Sequence, residues 1–104
     1  MATTTPTGAQ PATGLLALEP AWVALNVTAA QLKVLYLAVA YGEVDGRYIQ
    51  LRLNMLPSTL TRIADRLVES GLVTRQSYAS DRRVVCYQPT EAGKSLMMGL
   101  LPQP

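Results

Sequence analysis

Apolar residues recur at helical spacing in several stretches of this chain and give way to β-compatible runs near its end, with Gly and Pro at the joints. Leu15, Leu18, Trp22 and Leu25 form the first helical set, and Pro20 either begins that helix at its first turn or kinks it. Thr28-Ala29-Ala30-Gln31 then has the form of a capping box, which fixes a second helix start. Leu32, Leu35, Tyr36 and Val39 make one stripe of that helix, and Val34, Leu37 and Tyr41 make its other side apolar as far as Gly42. A helix apolar on so many sides is wrapped on most of them, which in a short chain points to a second subunit.

Asp45 can cap a short helix from Arg47 to Leu53 with Tyr48, Ile49 and Leu53 inward, and Asn54 suits the following turn. From Pro57 to Ser70 the residues Leu60, Ile63, Ala64, Leu67 and Val68 fall at i, i+3, i+4, i+7 and i+8, closed by Gly71. The opposite face reads Ser58, Thr59, Thr61, Arg62, Asp65, Arg66 and Glu69. Two short helices joined by a tight turn make a helix-turn-helix, whose second member can enter a major groove because its outward face is polar.

Leu72 to Tyr78 and Arg83 to Gln88 read as two strands joined by the polar turn Ala79-Ser80-Asp81-Arg82. Thr90 caps a last helix with an apolar band of Leu96, Met97, Leu100 and Leu101, ended by Pro102. The predicted class is α+β and mostly helical: a winged helix-turn-helix with a two-stranded wing. It occupies residues 15–101 behind a Thr-, Pro- and Ala-rich tail, residues 1–14, whose composition favours an extended or mobile segment.

Composition narrows the chemistry. The 104 residues suit one domain, and 49% hydrophobic content supplies a core thin enough to gain from a partner subunit. Net charge is only +2, but seven of the nine cations are arginines lying between Arg47 and Arg83. Arginine suits phosphates and base edges. With no histidine and a single cysteine, the usual zinc spacings, nucleophile pairs and internal disulfides are absent, so neither an enzyme nor a metal or organic cofactor is expected. Cys86 lies among β-branched residues and reads as a structural thiol. No signal peptide or membrane-spanning run stands out, which points to the cytoplasm.

Taken together, Pro57-Ser58-Thr59-Leu60-Thr61-Arg62, Asp65-Arg66-Leu67, Gly71-Leu72-Val73, Asp81-Arg82-Arg83-Val84-Val85 and Thr90-Glu91-Ala92-Gly93 resemble the multiple-antibiotic-resistance regulator (MarR) family in order and spacing. The resemblance runs from about Thr28 to Leu96 and implies a homodimeric winged-helix transcriptional regulator, most simply a repressor, on palindromic double-stranded DNA. It assigns Ser58, Thr59, Thr61 and Arg62, joined by Arg66, to the major groove. Asp81, Arg82 and Arg83 go to the wing and minor groove. Arg47, Arg52 and Arg75 are the candidate phosphate ligands, and Leu18, Trp22, Leu25, Leu96, Met97 and Leu100 the candidate dimer interface.

Three departures accompany the resemblance. Leu56 stands where relatives carry a capping residue, which leaves Asn54 or Ser58 as alternative caps. Pro89 ends the second wing strand, which suits an edge strand and shortens the ladder. The sequence stops soon after Leu101, where the family's long final helix builds the dimer and effector pocket, and this weighs against a small-molecule effector. Two other readings stay open: a winged helix reused as a protein-interaction module, and an architectural or replication-linked DNA binder of plasmid or phage type.

Overall fold

The structure, a computed structural model, describes residue 19, residues 21–78 and residues 81–102. The tail of residues 1–14, Leu15 and Leu18 fall outside these, and of Trp22 only the backbone is described. A 3-10 turn, Ala21–Ala24, stands where the first helix was predicted and packs on the last helix.

Helix α1, Ala29–Tyr41, starts at the capping box: Thr28 Oγ1 accepts from the Gln31 amide at 3.1 Å, and Gln31 Oε1 accepts from the Thr28 amide at 3.1 Å. It carries the centre of the core through Val34, Leu35, Leu37 and Ala38. These residues are covered by the chain's own later elements, so a partner is not needed to bury them. Tyr36 and Tyr41, on the remaining side, stay exposed.

A two-residue strand β1, Val44–Asp45, leads into α2, Gly46–Leu53, where Asp45 Oδ1 accepts from the Arg47 amide at 2.7 Å. Ile49 is fully buried and Leu53 packs against the core. Tyr48, predicted inward, instead sits at the surface, where its hydroxyl is 2.8 Å from that of Tyr41. Asn54 takes a left-handed conformation, φ 53°, and turns the chain into α3, Pro57–Glu69. Leu60, Ala64 and Leu67 of α3 are buried, and Ile63 and Val68 flank them.

Strands β2, Val73–Tyr78, and β3, Asp81–Pro89, form the predicted hairpin, with a register shift between Ser77 and Tyr78. The sheet has a third strand, because β1 pairs antiparallel with β3 through Val44 to Tyr87 and Asp45 to Cys86, giving the order β1-β3-β2. β3 is therefore central, and Pro89 is not on an edge strand. It is tolerated because it ends β3, paired with Val73, two residues beyond the reach of β1.

The chain then returns through α4, Glu91–Leu100. Thr90 Oγ1 accepts from the Gly93 amide at 3.0 Å and donates to the Gly71 carbonyl at 2.6 Å, while the Thr90 amide donates to the Leu72 carbonyl at 3.0 Å. One residue thus caps α4 and clamps it to the exit of α3. Gly71 makes that exit at φ +74°, a conformation that costs a glycine nothing. Gly93 is demanded by space instead, since a Cβ there would lie 2.1 Å from the Leu72 carbonyl oxygen. Among the described residues, four α-helices and a small three-stranded antiparallel sheet make a winged helix-turn-helix.

Candidate nucleic-acid interface

The burial of Leu60, Ala64 and Leu67 decides which way α3 faces. With those three against the core, Ser58, Thr61, Arg62 and Arg66 are exposed, and Thr59 is half-buried at the margin. The hydroxyl of Thr61 donates back to the Pro57 carbonyl at 3.0 Å, so it offers an outside group its acceptor lone pairs and its methyl. No side chain caps α3: Leu56 precedes it, and neither Asn54 nor Ser58 takes over that role. Pro57 at the first position has no amide hydrogen to satisfy.

Two shallow clefts flank α3. One, of about 420 Å³, is lined by Thr28 and Gln31 of the α1 start together with Thr59, Arg62 and Arg66. Sequence reasoning placed Thr28 and Gln31 in a cap and missed their position beside the arginines, which only the packing of α1 against α3 creates. The second cleft, of about 300 Å³, brings Arg47 of α2 against Pro57 and Thr61, so this cation adjoins the outward face.

Arg52 does not. It projects to the other side of α2, into a groove of about 620 Å³ walled by Leu37, Leu53, Met97 and Leu100 and rimmed by Lys33 and Tyr36. Arg52 follows Arg47 by five positions, which turns them well over 90° apart around a helix. Arg75 is already engaged: its Nη2 donates to Asp65 Oδ1 at 2.5 Å, and its guanidinium carbon lies 5.7 Å from the centre of the Tyr87 ring. The Asp65 carboxylate raises the Arg75 pKa further above its ordinary value. Asp65 therefore pairs across to the sheet.

On the wing, the backbone of Asp81 to Arg83 begins β3 next to the hairpin tip; the side chains of these three residues lie outside what the structure describes. Cys86 is buried, and desolvation pushes its thiol pKa upward, the opposite of a reactive thiolate. Among the described residues no group of His, Cys, Asp and Glu could hold a metal ion, and no helix is long and apolar enough to cross a membrane.

Of the candidate interface residues, Met97 must be reassigned. It is 4% exposed and fills the chain's own core beneath α1, so it has little surface to offer a partner. Leu25, Leu96 and Leu100 are half-buried.

The winged-helix architecture agrees with that of known proteins. The MarR family model matches residues 27–85, more than half of the chain. The chain belongs to the MarR family. Among MarR-like relatives, it is 35% identical over 79 residues to the uncharacterized HTH-type transcriptional regulator YfiV of Bacillus subtilis (strain 168), covering 76% of this chain and 49% of that one. It is 37% identical over 68 residues to the HTH-type transcriptional repressor MdtR of the same organism, covering 65% and 44%. Among solved structures, a MarR mutant from E. coli complexed with operator DNA superposes with a TM-score of 0.64 at 32% identity, covering 70% of this chain and 52% of that one. The chain thus spans about half the length of these MarR relatives. The curated relatives carry names of transcriptional regulators, a non-enzymatic class.

Proposed function

We propose that this MarR-family chain is a sequence-specific double-stranded DNA-binding transcriptional regulator, a cytoplasmic repressor acting as a homodimer on a palindromic site. The observation that carries the reading is the outward face of α3, which presents Ser58, Thr59, Thr61, Arg62 and Arg66 while its opposite face is locked to the core. Such a face can enter the major groove, with Arg47 from the preceding helix reaching phosphate. Asp81, Arg82 and Arg83 sit in sequence at the wing, where arginines gain from the negative potential of a narrow minor groove. MdtR, named as a repressor, and MarR, complexed with operator DNA, support repression and duplex binding by analogy. Half-buried Leu25, ahead of α1, and Leu96 and Leu100 of α4 support association through the first and last helical segments.

The test begins with selection of bound duplexes from a random pool, for which a palindromic consensus is the expected product. Arg62→Ala is then expected to cost about 1 to 3 kcal/mol on the selected duplex and to relax preference at one base pair per half-site. Arg82→Ala and Arg83→Ala should weaken binding to cognate and scrambled duplexes alike and flatten the dependence of log affinity on log salt. Variants that all bound cognate DNA like the parent would overturn the site, and light scattering that gave a monomer still bound tightly to DNA would overturn the dimer.

A further inference from the structure

A carboxylate on the face of a helix that meets DNA is a liability, because it repels phosphates and pairs with arginines three or four residues away. Asp65 is such a group, three residues after Arg62 on the outward half of α3. Its oxygen nevertheless takes a hydrogen bond from Arg75, at 2.5 Å, and not from Arg62. Among the described residues neither Arg62 nor Arg66 is held in an ion pair.

Arg75 is placed for this by the sheet. It follows Val73 by two residues in β2, so the pleat puts it on the same face as that buried valine, the face on which α3 packs. Its register partner in β3 is Tyr87, 5% exposed, whose ring lies under the guanidinium. Tyr87 is itself fixed by pairing with Val44 of β1, and its ring lies so near the α2 start that a Cβ at Gly46 would meet it at 3.5 Å. The cation is thus carried on a buried ring that is part of the core.

We propose, resting on the DNA-binding reading above, that Arg75 is a positioning residue that masks Asp65, so that Arg62 and Arg66 meet DNA unpaired and the reading face carries no net carboxylate at its centre. Arg75 acts through Asp65 and needs no phosphate of its own.

Binding titrations on the duplex selected by the parent, at several salt concentrations, separate this role from direct phosphate contact. Arg75→Gln alone exposes the carboxylate and is expected to lower affinity about fivefold, the upper range for an exposed ion pair. Asp65→Asn alone is expected to bind as tightly as the parent or more tightly. The decisive comparison is Asp65→Asn against Asp65→Asn with Arg75→Gln, both lacking the carboxylate: masking predicts equal affinity and equal salt slope. Thermal unfolding of each variant identifies any loss that comes from the fold. If Arg75→Gln cost the same in both backgrounds and reduced the salt slope by about one ion, Arg75 would be a phosphate ligand and the proposal would fall. A parent that bound no duplex would remove the DNA reading and this one with it.

Discussion

Gly93→Ala tests the clamp that joins the helix-turn-helix to the last helix. An alanine Cβ at this position would lie 2.1 Å from the Leu72 carbonyl oxygen, 3.1 Å from its carbon and 3.2 Å from Leu35 Cδ1. Ordinary contact would require α4 and the β2 entrance to separate by about 1 Å or more. Neither neighbour can give way cheaply, since the Leu72 carbonyl accepts the Thr90 amide and Leu35 is fully buried. Overpacking of this kind costs about 3 kcal/mol, and alanine returns about 1 kcal/mol in helix propensity, leaving a net loss of about 2 kcal/mol. For a domain of this size that lowers the midpoint of thermal unfolding by roughly 8 to 16 °C. Gly99→Ala, in the same helix with open space around the position, is the control and should stabilise by up to about 1 kcal/mol. Calorimetry or urea unfolding of the two variants measures both effects. A Gly93→Ala protein at least as stable as the parent would refute the close approach and, with it, the account of why Gly follows Thr-Glu-Ala here.

Thr28→Ala removes the hydroxyl half of the capping box and is expected to cost about 1 kcal/mol in urea unfolding. Asn54→Gly, at φ 53°, relieves the strain of a side chain in the left-handed region and should be neutral or stabilising, whereas Asn54→Ala should destabilise by about 1 kcal/mol. Cys86 should resist alkylation in the folded protein and react only as denaturant unfolds it, because burial disfavours its thiolate. The sign of the linkage follows: a raised thiol pKa removes stability as pH climbs past the ordinary thiol range, and Cys86→Ser should abolish that part of the loss. DNA affinity and its response to peroxide should be the same in Cys86→Ser and the parent.

What the sequence determined by itself is what depends on neighbours in the chain. A capping box at Thr28 and Gln31, an Asp45 cap, glycine stops at Gly42 and Gly71, the apolar stripe of α3 and the Thr90 cap all act over one helical turn, and each stands where residue spacing put it. The outward face of α3 was legible for the same reason, since a strong stripe of Leu60, Ala64 and Leu67 leaves the other residues no choice. Only the tertiary structure decided what depends on which elements meet. The strand at Val44 and Asp45 exists because β3 passes beside it, and two residues carry no periodicity to announce it. Met97 belongs to the core because α4 packs on α1, and Tyr48 to the surface beside Tyr41, although both residues suit either place. The same packing turned Arg52 away from α3 and delivered Arg75 to Asp65 across ten residues of chain. An arginine's charge is written in the sequence, but its partner is chosen by the surface that folding brings within reach.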